Sequence, residues 1–128
     1  LQWETRIMHV KCIEKGESVG YGRNFIAEHP TKVATIPIGY ADGYNRLLSN
    51  RGHVLINGQK APIVGNICMD QTMIDISNIT NASIDDNVIL LGKQENEEIT
   101  ADDLAKLCNT ISYEILTNIS NRVPRLYK

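Results

Sequence analysis

Tyr21 stands between Gly20 and Gly22 at the end of an apolar, extended run. Glycine on both sides exposes the ring and lets backbone come close to a small ligand. A phenol titrates at about 10, so in water it is a poor base. A neighbouring cation, or hydrogen bonds to its oxygen, would favour the phenolate and make proton transfer feasible. Tyr40 and Tyr44 bracket Ala41-Asp42-Gly43, and Asp-Gly suits a tight turn. Cys68-Met69-Asp70-Gln71 sets a carboxylate and an amide into an apolar stretch. A bulge or tight turn there would aim the Met69 backbone N–H at an anion, as in an oxyanion site. Tyr113 adds a further phenol near the C-terminus. Each cluster also has a plainer reading when taken alone: a rim tyrosine in solvent, a turn with two partly buried aromatics, strand packing, and a helix residue in a core or interface. No lysine sits in a pattern that would anchor a cofactor, and no complete catalytic set is present. The pattern is that of part of an active site whose remainder lies elsewhere.

The elements that must hold these clusters are mostly strands. From Trp3 to Ile13 the sequence alternates, with Met8, Val10 and Cys12 on one side and Ile7 among polar residues on the other, which predicts one long strand. Glu14-Lys15-Gly16-Glu17 predicts a turn, and Ser18 to Gly22 leaves it in extended form. Val33 to Ile38 is a strand running into the glycine-rich turn Gly39 to Gly43, and Ser49 to Gly52 is a second turn. His53 to Ile56 and Lys60 to Val64 flank Asn57-Gly58, a strong hairpin signal. Thr72 to Ile76 and Val88 to Leu91 supply two more strands. Thr100 with Asp103 is close to a capping box, followed at helical spacing by Leu104, Leu107, Cys108 and Ile111. Tyr113, Ile115, Leu116 and Ile119 predict a second short helix, and Pro124 confines the last residues to an edge or irregular strand. The fold expected is one mainly β domain, a small Greek-key-like β-barrel with one or two short helices near the C-terminus. Closure is a common way for many short strands to avoid exposed edges.

Composition narrows the function classes. The 128 residues suit about one domain, with 42% hydrophobic and 22% charged residues. A net charge of -2 offers no basic patch for nucleic acid. No apolar run approaches the roughly 20 residues of a membrane helix, so no membrane contact is expected of this segment. Residue 1 is Leu and no signal-peptide pattern follows it, so the expectation is the C-terminal piece of a longer, cytoplasmic chain. Cys12, Cys68 and Cys108 form no C-x-x-C pair, and His9, His29 and His53 lack metal-ligand spacing, so reduced thiols and no metal are expected.

Together the clusters are far more specific than any one of them. Val19-Gly20-Tyr21-Gly22, Ile36-Pro37-Ile38-Gly39-Tyr40-Ala41-Asp42-Gly43, Pro62-Ile63-Val64-Gly65-Asn66-Ile67-Cys68-Met69-Asp70-Gln71, Ile111-Ser112-Tyr113-Glu114 and Arg122-Val123-Pro124-Arg125 occur in the order and rough spacing of one family. Over essentially its whole length the chain resembles the C-terminal domain of bacterial alanine racemase, a pyridoxal-phosphate enzyme. The resemblance implies that residues 1–128 follow an N-terminal (β/α)8 barrel, absent from this chain, which carries the cofactor on a lysine. It implies a head-to-tail homodimer, with each site between one subunit's barrel and the other's C-terminal domain. The expected activity is interconversion of L- and D-alanine, supplying D-alanine for peptidoglycan. Bound pyridoxal phosphate acidifies the Cα–H of an amino acid, and racemisation removes a proton from one face and delivers one to the other. By the resemblance, Tyr21 is the acid/base on one face, acting in the partner subunit's site. The Met69 amide helps hold the substrate carboxylate, Tyr40 narrows the mouth of the site, and Asp70 lies close to that mouth. Tyr113 touches the cofactor phosphate in its own subunit and crowds the substrate side chain. Phe25 stands where many members have tyrosine. The domain alone is expected to be inactive.

Other readings compete with this one. Serine racemases of glycopeptide resistance are similar in this domain but carry membrane helices upstream, and would anchor the chain to a membrane. A bulky Tyr113 beside the substrate favours alanine over serine, although one residue discriminates modestly. A non-catalytic dimerisation or binding module is the alternative from a different class, set against the presence of Tyr21, Tyr40, Asp70 and Tyr113. Related decarboxylases use a cysteine-centred motif that fits Cys68-Met69-Asp70-Gln71 less well.

Overall fold

The computed structural model describes residues 2–19 and 25–119. In chain order these form β1 (Trp3–Arg6), β2 (His9–Ile13), β3 (Ser18–Val19), β4 (Phe25–Ile26), β5 (Thr31–Ile36), β6 (His53–Ile56), β7 (Gln59–Pro62), β8 (Thr72–Asp75), β9 (Asn87–Gln94), β10 (Glu97–Ile99), α1 (Ala101–Leu107) and α2 (Ser112–Thr117). Two 3-10 turns, Tyr40–Asp42 and Arg46–Leu48, lie between β5 and β6. The mainly β class with two short C-terminal helices is the one expected from sequence. No helix among the described residues is long and apolar enough to cross a membrane.

The ladders are antiparallel and fall into three sheets: β1-β9-β6-β7 with β10 on β9, β2-β5-β8, and the small β3-β4 pair. Two joints connect the larger sheets. Past β7, Ile63 bridges Ile74 of β8, and the Val64 N–H donates to the Met73 carbonyl at 3.0 Å. At the other joint the Ile7 N–H donates to Asp86 O at 3.0 Å, while the next amide, Met8 N–H, donates to Thr35 O at 2.8 Å. Consecutive amides thus serve opposite sheets, and the chain turns a corner. The two larger sheets thus meet at two places, although β1, β2, β7 and β8 remain the outer strands of their ladders. β5 reaches β8 across the intervening β6–β7 hairpin, the kind of return a Greek key makes.

That corner corrects the single strand expected over Trp3 to Ile13. Trp3 and Ile7 point into the main core, yet Val10, an odd number of residues on, packs against the same core. A side-chain period of two cannot do this without a break, and the corner supplies it. Met8 and Cys12, expected on the apolar side, are exposed instead. A second difference lies at the C-terminal end. The capping box forms as expected, with Asp103 N–H to Thr100 Oγ1 at 3.0 Å and Thr100 N–H to Asp103 Oδ2 at 2.9 Å. However, α1 ends at Leu107, Asn109 takes a φ of 54°, and Ile111 is the exposed residue preceding α2, not part of the α1 face.

β5 separates two cores. Ala34 and Ile36 face the main one, with Leu55, Ile74 and Leu90; Val33 faces a smaller one with Ile13, Val19, Ala27 and Val64. Tyr44 is fully buried and meets Trp3 edge to face, ring centroids 5.7 Å apart and planes at 88°. Neither the Tyr44 hydroxyl nor Trp3 Nε1 has a hydrogen-bond partner among the described residues. Burial pushes the Tyr44 phenol well above its usual range.

The turn between β5 and the first 3-10 segment is clamped on both sides. Tyr40 N–H donates to Cys68 O at 3.0 Å and Ala41 N–H to Met69 O at 2.8 Å. Gly39 lies so close to those carbonyls that a Cβ would collide with Cys68 O and the Met69 backbone. Its φ of -147° is ordinary extended backbone, so the requirement is space alone. Gly43, with φ 97°, is pressed against the Asn118 carbonyl just past α2. The buried Asp42 carboxylate accepts from Gly39 N–H at 2.9 Å and closes the turn.

Gly39→Ala should therefore cost about 2 kcal/mol by overpacking against backbone that cannot rotate away, read as a lower urea midpoint. His53, half-buried at the start of β6, provides a pH test. Burial, then the charge of Lys60, lowers its pKa below 6.5, while Asp103 and Glu97 act the opposite way. The unfolded chain then binds the proton more readily, so stability falls as pH drops from 6.5 toward the folded-state value. Urea midpoints measured from about pH 7.5 to 5 should fall less steeply in His53→Gln than in the parent.

Candidate active site

The clamp brings two of the predicted site elements together. Tyr40 leaves the 3-10 turn with its ring exposed, and the Arg46 guanidinium lies 5.5 Å from the ring centroid. Across the backbone hydrogen bonds, residues 68–71 form a tight turn closed by Cys68 N–H to Gln71 O at 3.0 Å. Met69 and Asp70 sit at its exposed tip. Both the Cys68 and Met69 carbonyls are engaged by the Tyr40 turn, while the Met69 N–H makes no hydrogen bond among the described residues. A donor held by a fixed backbone and left unpaired is the arrangement that anion binding needs. Thr72 Oγ1 donates to Ile38 O at 2.6 Å and ties the far side of this turn to the start of the clamp.

The segment before that turn is fixed by residues whose part was not foreseen. Gly65 N–H donates to Asn50 Oδ1 at 2.6 Å and Ile67 N–H to Ser49 Oγ at 2.8 Å. Asn45 caps the Arg46–Leu48 turn through Leu47 N–H at 2.9 Å, which sets Ser49 and Asn50 in position. The local signal was present, because an asparagine ahead of an apolar pair is a turn opener. Its long-range target was not readable. Gly65, with φ 75°, also lies against the Val19 carbonyl.

Of the phenols, Tyr44 is 1% exposed and serves the core, whereas Tyr113 on α2 is 72% exposed and open to a ligand. The expected pair of partly buried aromatics at the Gly39–Gly43 turn thus divides into one sealed ring and one open ring. α2 ends against Gly43 of the Tyr40 turn, so Tyr113 is carried by an element anchored to the same clamp. Tyr21 lies outside the described residues, as does Arg122-Val123-Pro124-Arg125. Phe25, just after it, is half-buried on the smaller core. Of the thiols, Cys108 is buried, which raises its pKa, with Arg51 acting the other way, and Cys68 Sγ donates to Asn66 O at 3.7 Å.

Comparison with known proteins covers nearly the whole chain. The sequence profile of "Alanine racemase, C-terminal domain" matches residues 1–127. "Alanine racemase 2" of Caldanaerobacter subterraneus subsp. tengcongensis is 50% identical over 127 residues, covering 99% of this chain and 33% of that protein. The crystal structure of alanine racemase from E.faecalis superposes with a TM-score of 0.93 at 39% identity, over 99% of this chain and 33% of that one. Alanine racemase from Bartonella henselae with covalently bound pyridoxal phosphate gives 0.92 at 38% identity, over 99% and 34%. The chain spans about a third of the length of these relatives. On sequence and on structure alike, the chain belongs to the alanine racemase C-terminal domain family.

Proposed function

We propose that this chain is the C-terminal domain of a pyridoxal-phosphate-dependent racemase that interconverts L- and D-alanine, a source of D-alanine for peptidoglycan. In this reading an N-terminal (β/α)8 barrel carries the cofactor on a lysine, and the enzyme works as a head-to-tail homodimer in the cytoplasm. The observation that carries the reading is the clamp. It holds the turn that bears the exposed Tyr40 ring against the turn whose Met69 N–H, without a partner among the described residues, a substrate carboxylate can take.

The residues present fit a share in the cofactor's site and not its attachment. Every described lysine lies on the surface, with none in an enclosed setting that could hold a cofactor. The exposed Tyr113 hydroxyl can donate one hydrogen bond to the cofactor phosphate. When bound, pyridoxal phosphate supplies the electron sink that makes the substrate Cα–H acidic. The remaining work falls to this domain's side chains. Met69 N–H orients the carboxylate, Tyr40 narrows the mouth, and Asp70 lies beside it. Tyr113 limits side-chain size, which favours alanine over serine. Tyr21 holds or releases the proton on one face of Cα, in the partner subunit's site. Val19, two residues before it in sequence, lies against Gly65 of the segment that leads to Met69.

In the full-length enzyme, Tyr21→Phe should slow Cα proton exchange at one face by roughly 10²- to 10⁴-fold, the worth of a positioned acid/base group. Cofactor attachment, followed by its absorbance, should stay intact. Equal exchange from both alanine enantiomers at parent rates would refute the role. The isolated domain should neither bind pyridoxal phosphate tightly nor racemise alanine, and measurable turnover by it would overturn the division of labour.

A further inference from the structure

The sequence Asn57-Gly58 forms the tip of the β6–β7 hairpin, with φ values of 52° and 75°. Asparagine followed by glycine is the pair most prone to cyclise, because no side chain shields the glycine nitrogen. The Gly58 amide nitrogen gives up its proton and attacks Asn57 Cγ; the C–N bond to the side-chain NH2 breaks and ammonia leaves. Water then opens the cyclic imide at either carbonyl, leaving an aspartyl or an isoaspartyl residue at position 57. Asn57 is exposed, so water has access.

The structure opposes each part of that step. The attacking Gly58 N–H is donated to Gln94 Oε1 at 2.8 Å. The leaving Asn57 Nδ2 is donated to Thr80 O at 3.2 Å, which turns the side chain toward the β8–β9 loop. A φ of 52° puts Asn57 in the left-handed well, where ψ of about +30 to +60° sets the Gly58 nitrogen on the far side of the Cα–C bond from Cβ. The Glu95 side chain, at the neighbouring hairpin tip with φ 54°, lies directly against Gly58. Its negative charge disfavours an anionic amide nitrogen beside it. Two hairpin tips are thus interlocked, and the ring can close only after they part.

We propose that Asn57 is a latent self-modification site, latched shut by the β9–β10 tip through Gln94, and that its conversion proceeds only from the opened hairpin. The isoaspartyl product adds a backbone atom to a tip built for two residues. It cannot regain the turn, and it shifts β7, whose continuation through Ile63 leads to the Met69 turn.

The test incubates the full-length protein at neutral pH, native and in denaturant, and follows the Asn57 peptide by mass spectrometry with separation of the isoaspartyl form. Native conversion should be at least roughly tenfold slower than in denaturant. In native Gln94→Ala it should rise about fivefold over the parent, the factor for one lost hydrogen bond. Conversion at other asparagines should stay unchanged. Native conversion as fast as in denaturant would overturn the proposal, and so would an unchanged rate in Gln94→Ala. A Gln94→Ala protein whose asparagines all convert faster would also overturn it, since that is global loosening and not a latch. If Gln94→Ala does not fold, the native-to-denatured comparison still decides.

Discussion

The close approach of Gly39 to the Cys68 and Met69 carbonyls is the contact on which the candidate site depends. Two amides of one turn satisfy two carbonyls of another, and this is possible only because nothing projects from the Gly39 Cα. Hydrogen bonds between exposed loops are usually weak, since water competes for the same groups. Here the buried Asp42 carboxylate closes the turn from beneath, and Gly43 seats it against the end of α2. The two glycines are needed for different reasons. Gly39 is chosen by proximity alone, whereas Gly43 is chosen by proximity and by a left-handed backbone.

Around this contact the domain separates what must be rigid from what must be reachable. Trp3, Tyr44 and the β-branched residues of β6 and β9 fill the space below. Tyr40, Met69, Asp70 and Tyr113 stand outside it, each on a backbone held by hydrogen bonds or a helix. Chemistry-bearing groups on a fixed scaffold lose little freedom when a ligand arrives. Two buried polar atoms, Trp3 Nε1 and the Tyr44 hydroxyl, have no partner among the described residues, and burying such a group without a partner costs stability.

How much of this could be read from sequence follows from the range of the interactions involved. The Thr100–Asp103 cap and the Asn57-Gly58 turn are settled within a few residues, and both form as the sequence predicts. The corner at Ile7–Met8 could not be read, because Asp86 and Thr35 make it and both are distant in sequence. Its consequence, the change of side between Ile7 and Val10, misassigned Met8 and Cys12. β10 was missed because Glu97-Glu98 is polar, and its pairing with β9 decides its state. Ile111 continued a helical period that Asn109 interrupts with its positive φ. At the site, residue types singled out Tyr40, Met69, Asp70 and Tyr113 only in company. That Tyr40 and Met69 share a clamp is a tertiary fact with no local signature.

The corner near the start of the chain also bears on how the domain comes to be made. Trp3 pairs with Leu91 and Arg6 with Asn87, while the next strand pairs with residues 31–35. During synthesis the β2–β5 ladder can form early, but β1 has no partner until β9 has emerged. Trp3 of β1 and the adjoining Ile7 wait unpaired while the residues as far as β9 are made. An early strand is completed by a late one, and the nascent segment ahead of β2 is the stretch that calls for shelter until then.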